Sequence, residues 1–169
     1  LLYNAAFIVL GIAVGVLVGI CLGDLLNRAF QKFFQTSILL PQLVSMVIVA
    51  YIVFGFLGNE TGLINNLLKE PINFYQETKY WPFILVFVYI WKQVGYNSII
   101  FLAAIVSIDK RLYEASKVDG AKKWQQIFYV TLPMLKSTMI TLMLLQVGRI
   151  FYSDFGLFYQ VPLDSGALY

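Results

Sequence analysis

The chain has 169 residues, of which 60% are hydrophobic and 12% are charged, whereas soluble domains carry about 25% charged residues. Its 12 Lys and Arg residues outnumber its 9 Asp and Glu residues by only three, without the basic and aromatic array of a nucleic-acid-binding surface. One cysteine and no histidine exclude a disulfide framework and a Cys/His metal cluster. These values exclude a soluble domain and favour a membrane protein with no nucleic-acid partner.

Four apolar runs, each 19 to 25 residues long, occupy residues 2–23, 36–57, 82–106 and 134–152. A helix needs about 20 apolar residues to cross the hydrocarbon core, and the runs lack the apolar/polar alternation of a membrane barrel. The sequence therefore predicts an all-α, polytopic helix bundle with four spans in a single membrane domain, 1–169. No initiating Met or cleavage site precedes the first run, so we expect a fragment of a longer protein with further spans.

Basic residues near the ends of the spans predict the orientation, because loops rich in Lys and Arg remain in the cytoplasm. The connections 24–35 and 107–133 together hold seven basic residues: Arg28, Lys32, Lys110, Arg111, Lys117, Lys122 and Lys123. The loop 58–81 holds two, Lys69 and Lys79, and the tail after the fourth run holds none. We therefore expect a multi-pass protein of the plasma or inner membrane, with loop 107–133 cytoplasmic and loop 58–81 extracytoplasmic.

Small residues and breakers predict how the first two spans and their connections are arranged. The first run carries a stripe of glycines at every fourth position: Gly11, Gly15, Gly19 and Gly23. Such a stripe lets another helix approach closely, so we expect helix packing on this face. The connection 24–35 is expected to be a short link into a span with Pro41 in its first turns, and residues 58–68 to be a turn and a short amphipathic helix.

The pattern in loop 107–133 predicts two short helices with a break at Asp119-Gly120 and an end at Pro133. Glycine adopts the positive φ that ends a helix at little cost, and proline interrupts helical hydrogen bonding. Several apolar side chains of this loop would form a ridge that lipid does not require: Tyr113, Val118, Trp124, Ile127 and Phe128. The sequence therefore predicts a helix–turn–helix docking element.

This loop resembles the cytoplasmic signature of the transmembrane subunits of binding-protein-dependent ATP-binding-cassette importers. That signature is Glu-Ala-Ala, three residues, Gly, nine residues, then Ile-x-Leu-Pro. The matching residues are Glu114, Ala115, Gly120, Leu132 and Pro133. Ser116 and Val130 replace an alanine and the isoleucine. The extended pattern is similar to the carbohydrate branch of the family, in particular to complex-saccharide systems, through Val118, Asp119, Ala121, Trp124, Phe128 and Thr131.

The resemblance implies a type I importer permease whose loop is a coupling helix seated on a cytoplasmic ATPase dimer. The coupling residues would be Glu114, Ala115, Ser116, Asp119, Gly120, Ala121, Trp124, Phe128, Leu132 and Pro133. The sequence has no phosphate-binding G-x-x-x-x-G-K-[ST] loop, so ATP and Mg would bind the ATPase and this chain would bind no cofactor. Membrane lipid, a second permease subunit, identical or different, and an extracytoplasmic solute-binding protein would be the other partners.

Polar residues inside the runs are candidates for a translocation pathway. A cation at a helix centre costs about 2.5–3.5 kcal/mol, so Lys92 should face either a hydrated pathway or a neighbouring span. In the fourth run Arg149 either contacts solute, reaches the outer interface or pairs with Asp154. The candidate pathway residues, which share helical faces, are Tyr89, Lys92, Gln93, Tyr96, Asn97, Gln146 and Arg149.

The leading hypothesis is a non-enzymatic permease subunit for a sugar or oligosaccharide. The alternatives are an importer permease for a non-sugar solute, an ion-coupled secondary transporter and a membrane-embedded enzyme. No carboxylate lies deep in a predicted span and no histidine is present, which disfavours ion coupling and enzymatic chemistry. The sequence does not identify the solute.

Overall fold

The computed structural model describes the chain in six segments: residues 2–25, 28–59, 62–68, 72–148, 151 and 154–163. The described residues form helices and no strand, which confirms the all-α prediction. The helices are α1 (Leu2–Gly23), α2 (Arg28–Leu43), α3 (Met46–Leu57), α4 (Leu63–Leu67), α5 (Trp81–Val106), α6 (Lys110–Val118), α7 (Lys123–Gln126) and α8 (Leu132–Val147). Shorter turns are 3₁₀ at Thr78–Tyr80 and π at Ile127–Thr131 and Gly156–Gln160.

Three helical segments are long and apolar enough to cross a membrane: Leu2–Gly23, Thr78–Val106 and Lys123–Val147. A fourth crossing requires α2 and α3 to act together, and these helices meet at a bend of 97°. The described chain therefore contains three spans, or four if the bent pair counts as one. The predicted fourth run, 134–152, is helical as far as Val147, and most of its last residues lie outside the described segments.

α1 and α5 lie side by side and run in the same direction, with the glycine stripe between them. A Cβ at Gly15 would lie 2.7 Å from Cβ of Asn97, and one at Gly19 would lie 2.9 Å from Cβ of Phe101. Gly11 and Gly23 face the same helix at ordinary contact distances of 3.5 and 3.4 Å. The absence of side chains on this face of α1 is what lets α5 approach so closely.

The run 36–57, which the sequence predicts as one span, is divided in the structure between α2 and α3, so it forms one span only if the bent pair counts as one. α2 already begins at Arg28, so most of the predicted link 24–35 is helical, and Pro41 lies in the last turn of α2 rather than the first turns of a span. Ser45 has extended backbone and its side chain accepts a hydrogen bond from the Ile48 N–H at 3.4 Å. This N-cap starts a new helix in a new direction.

Two apolar clusters hold the bundle together, one towards each end. The first joins α1, α3, α5 and the segment after α8 through Phe7, Val49, Trp81, Leu85, Val88, Leu157 and Val161. The second joins α1, α5 and α8 through Ile8, Ile12, Val16, Phe101, Leu135 and Leu142. α8 therefore packs antiparallel to α1 and α5.

Loop 58–81 contains the predicted short helix as α4, and a buried amide holds it in place. The Asn65 side chain donates to the carbonyl oxygens of Gly58 at 3.1 Å and Ile72 at 2.9 Å, and accepts from the Ile72 N–H at 2.9 Å. Nearby, the Tyr75 ring packs edge-on against Trp81 with a centroid distance of 5.2 Å. Burial raises the pKa of Tyr75 to about 12, so its phenol stays protonated at physiological pH.

Loop 107–133 has the predicted helix, break and helix. Gly120 adopts a φ of +79° directly after α6, the left-handed conformation that favours glycine. The prediction that Pro133 ends the second helix is wrong, because residues Lys123–Val147 continue as one helical segment. The π turn makes this possible: the Leu132 N–H bonds to the Ile127 carbonyl, which widens the helix just before the ring of Pro133.

Candidate functional site

A cavity of about 320 Å³ lies between α1, α5 and the C-terminal part of α8. We name it the span cavity. Its lining consists of Asn4, Phe7, Ile8, Tyr89, Gln93, Tyr96, Asn97, Leu142, Leu145, Gln146 and Asp154. Five of the seven candidate pathway residues are therefore in one cavity, although they come from two helices that are far apart in sequence.

Two contacts with α1 hold the α5 wall of the span cavity. The Asn97 side chain, which is buried, donates from Nδ2 to the Gly11 carbonyl oxygen at 3.2 Å. The Tyr89 ring stacks on Phe7 with a centroid distance of 4.1 Å and an interplanar angle of 12°. Sequence reasoning missed the α1 residues of the lining, although Asn4 is a polar residue in an apolar run and could have indicated a polar face.

The lining groups of the span cavity suit a ligand with many hydroxyl groups. Gln93 and Asn97 carry amide donors and acceptors, and Tyr89 and Tyr96 add phenols with flat apolar faces. Oε1 of Gln146 is a buried acceptor without a hydrogen-bond donor among the described residues. A buried acceptor left without a donor costs free energy, so this oxygen is available to a hydroxyl group in the cavity.

The lining of the span cavity also includes one carboxylate, that of Asp154. The sequence places it in the tail after the fourth run, but the structure places it in the lining of the span cavity. Its Oδ1 accepts a hydrogen bond from the Leu157 N–H at 3.2 Å. A residue from outside the predicted span therefore belongs to the lining of the span cavity.

Lys92 does not line the span cavity. Its Nζ donates a hydrogen bond to the Val44 carbonyl oxygen, at the break between α2 and α3. This hydrogen bond joins Lys92 to the neighbouring α2–α3 segment of the same chain. The second candidate cation, Arg149, lies outside the described residues.

The loop 107–133 has an outer face whose apolar side chains are uncovered. Val118 is 88% exposed, Trp124 is 72% exposed and Phe128 is 59% exposed. Three further predicted coupling residues, Glu114, Ala115 and Asp119, are exposed beside them. We use the name outer face for these six residues. Such a group of exposed apolar residues at a bundle end is typical of a protein–protein contact.

The inner face of the same loop turns towards the ends of α1 and α5. It consists of Lys110, Tyr113, Lys117, Lys123, Gln126, Ile127 and Thr131. The prediction that Tyr113 and Ile127 belong to the exposed ridge is therefore wrong. Tyr113 Oη and Thr131 Oγ1 are 3.0 Å apart and join the two halves of the loop by a hydrogen bond. Helical spacing could have revealed this face, because residues 110, 113 and 117 recur at intervals of three and four.

The remaining predicted coupling residues shape the turn. The Ser116 carbonyl accepts a hydrogen bond from the Ala121 N–H at 2.9 Å, and the Gly120 N–H donates to the Lys117 carbonyl at 3.0 Å. Leu132 and Pro133 form the first turn of α8. The loop is also tied to the end of α1 by an ion pair of 2.9 Å between Lys123 Nζ and Asp24 Oδ1.

The sequence matches a known protein family. The profile of the binding-protein-dependent transport system inner membrane component matches residues 11–153. The chain belongs to this family. The match includes the glycine stripe, most of the span cavity and the whole loop 107–133. It agrees with a multi-pass membrane protein that acts in transport.

Two relatives of this family come from Bacillus subtilis (strain 168). The polygalacturonan/rhamnogalacturonan transport system permease protein YteP is 40% identical over 123 residues, which are 70% of this chain and 38% of YteP. The protein LplB is 36% identical over 143 residues, which are 82% of this chain and 44% of LplB. The chain therefore spans less than half the length of these two relatives.

The fold is similar to that of a bacterial ABC transporter involved in the import of the acidic polysaccharide alginate. The TM-score is 0.86 at 31% sequence identity, and the match covers 96% of this chain and 60% of the other. The same values hold for the structure of the alginate transporter in complex with alginate pentasaccharide-bound periplasmic protein. The arrangement of helices in this chain is thus similar to that in a chain of the alginate transporter.

Proposed function

We propose that this chain is part of a permease subunit of an ATP-driven importer for a sugar or oligosaccharide. In this function the span cavity forms part of the translocation pathway, and the loop 107–133 receives the motion of a separate ATPase. The chain itself performs no covalent chemistry, and ATP and Mg bind the ATPase. The observation that carries the proposal is the outer face, because it displays the family's signature residues uncovered at one end of a membrane bundle.

The saccharide class is supported by the cavity and by the relatives. Amide and phenol groups form hydrogen bonds with sugar hydroxyl groups, and aromatic rings pack against the apolar faces of sugar rings. Such side chains predominate among the polar residues of the span cavity. YteP is named for polygalacturonan and rhamnogalacturonan, and the similar solved transporter imports alginate. Together these observations favour an oligosaccharide over a non-sugar solute and over ion-coupled transport.

The exposed apolar side chains and the basic residues of loop 107–133 support an ATPase partner and a cytoplasmic location of this loop. Three apolar side chains, Val118, Trp124 and Phe128, are exposed at a loop that also carries five basic residues. Basic loops remain in the cytoplasm, where ATP is hydrolysed, and burial of Trp124 in a groove of the ATPase would remove apolar surface from water. We therefore place loop 107–133 on the cytoplasmic side and loop 58–81 on the opposite side.

The other partners are a second permease subunit and an extracytoplasmic solute-binding protein. α2 and α3 leave large apolar side chains exposed, among them Phe33, Leu43 and Tyr51, and lipid or a second permease would cover them. The alginate transporter was solved with a periplasmic protein that carries an alginate pentasaccharide. By analogy, a binding protein would deliver solute at the end of the bundle opposite to loop 107–133.

The proposal is tested in the full-length protein by removing the exposed rings of the outer face. The double variant Trp124→Ala/Phe128→Ala should insert into the membrane normally but bring down much less ATPase in affinity copurification, and its uptake of labelled oligosaccharide should fall at least tenfold. The matched control is Phe83→Ala, which removes a 76% exposed ring at the opposite end of the bundle. This control should retain both ATPase and uptake.

The outcome that would contradict the proposal is equally specific. If the Trp124/Phe128 double variant retains the ATPase and transports at the wild-type rate, the outer face does not couple the two subunits. If the intact protein transports without any ATPase, the chain is not an ATP-driven permease. A loss of uptake in Phe83→Ala as large as that in the double variant would indicate a general defect of the bundle.

A further inference from the structure

A second cavity, of about 390 Å³, lies between the ends of α1 and α5 and the inner face of loop 107–133. We name it the loop cavity. It is separate from the span cavity and from the outer face, and the proposed function does not use it. In addition to the inner-face residues, its lining includes Ile20, Gly23, Asp24, Ile105, Val106 and Ile108.

The charge of the loop cavity is positive. Three lysines, Lys110, Lys117 and Lys123, face one carboxylate, that of Asp24. Lys123 is paired with Asp24 at 2.9 Å, whereas neither Lys110 nor Lys117 forms an ion pair with any residue of the described chain. The formal charge of the described lining is therefore +2. Such a site attracts a single compact anion and leaves two ammonium groups to hold it.

One wall of the loop cavity is apolar. Ile20, Ile105 and Val106 come from the last turns of membrane-spanning helices, where the spans end and the polar loop begins. The lining also includes the buried polar side chains Gln126 and Thr131. Exposed ammonium groups, buried hydrogen-bonding groups and apolar side chains from the ends of the spans form a lining that matches a phospholipid at the membrane surface.

We infer that the loop cavity binds the phosphate of an anionic phospholipid headgroup. Lys110 and Lys117 contact the phosphate, and the isoleucines of α1 and α5 contact the start of the acyl chains. The apolar wall selects a lipid over free inorganic phosphate, because a free ion gains nothing from it. A lipid bound here touches α1, α5 and both halves of loop 107–133, and so stabilises their contact without covering the outer face.

The test uses the full-length protein in its transporter complex, purified in a neutral detergent. Dioctanoyl phosphatidylglycerol is titrated, and binding is followed through the rise in the midpoint of thermal unfolding, since a ligand of the folded state raises it. Dioctanoyl phosphatidylcholine, which has the same chains but no net charge, and inorganic phosphate serve as comparison ligands. The probe reports binding alone, so the result does not depend on whether the ATPase is coupled through the outer face.

Phosphatidylglycerol should raise the midpoint, and the two comparison ligands should not. Each lysine near an anionic lipid contributes enough to change the affinity about fivefold, so Lys110→Gln/Lys117→Gln should weaken binding roughly 30-fold. Lys110→Arg/Lys117→Arg should bind nearly as well as the wild type. The matched control is Lys122→Gln, which removes an exposed lysine of the same loop that does not line the cavity.

Three results would overturn the inference. Equal shifts with phosphatidylcholine would mean that charge is not recognised, and an equal shift with inorganic phosphate would identify the ligand as a free anion. A loss in Lys122→Gln as large as that in the double glutamine variant would assign the effect to the general charge of the loop.

Discussion

Apolar side chains are buried in the contact between α1 and α5 but exposed on the outer face of loop 107–133. Along α1 the glycines leave no side chain on the contact face, and Phe101 of α5 is completely buried there. On the outer face, Trp124 and Phe128 have no comparable cover and remain 72% and 59% exposed. The α1–α5 contact is therefore buried by residues of this chain itself, whereas the described residues do not cover the outer face.

In the proposed function, this difference separates the helices that would form the pathway from the loop that would receive the motion of the ATPase. A wall of the span cavity must keep its shape, and close helix packing with a buried amide between the helices provides this rigidity. A docking element must instead keep its apolar side chains free until a partner covers them. The two regions are continuous through the ends of α1, α5 and α8, so motion at the outer face can reach the cavity walls.

The largest loss of stability should come from adding a side chain to the contact between α1 and α5. Gly15→Leu should prevent folding of the full-length protein, because even a Cβ at this position would lie 2.7 Å from Cβ of Asn97. Gly15→Ala should cost about 1–3 kcal/mol, the range of overpacked cores. The control is Gly55→Ala in α3, where a Cβ meets nothing within 4 Å. Thermal unfolding in detergent measures the difference in stability between the two alanine variants. Equal unfolding midpoints would contradict the view that the α1–α5 contact is the more tightly packed region.

An intermediate effect should distinguish Lys92 from its neighbour Gln93. Lys92→Met removes the donor to the part-buried Val44 carbonyl at the α2–α3 break, and leaving such a carbonyl unpaired costs up to about 3 kcal/mol. The midpoint of thermal unfolding should therefore fall. Gln93→Leu changes the lining of the span cavity and should lower uptake while the midpoint stays near the wild-type value. The reverse pattern would assign Lys92 to the pathway and Gln93 to the packing.

The smallest change in the free energy of unfolding should come from substitutions of Gly120, in the turn between α6 and α7. Gly120 has a φ of +79°, and a left-handed conformation costs other residues about 1–2 kcal/mol. Gly120→Val should change the angle between α6 and α7 and reduce uptake about tenfold, and should lower the unfolding midpoint by only a few degrees. Gly120→Asn should transport nearly normally, because asparagine tolerates this conformation. If the valine variant transports as well as the asparagine variant, the shape of the turn is not important for coupling.

Much of this arrangement was predictable because it depends on residues close together in the sequence. The glycine stripe, the lengths of the first and third spans and the break at Gly120 follow from helix periodicity and local backbone preference. The interruption at Ser45 was not recognised, although a serine shortly after Pro41 is a usual helix start. The helical spacing of Tyr113 within α6 likewise contained a signal for the inner face.

The sequence by itself determined that the chain is an all-α membrane bundle, that α1 carries a packing face and that loop 107–133 consists of two short helices with a break at Gly120. Only the tertiary structure decided which polar side chains share a cavity and which support the helices. Asn97 bonds to Gly11 across 86 positions, and Lys92 bonds to Val44 across 48. Because such contacts depend on how whole helices pack, a pattern within one helix shows which residues share a face but not what that face meets.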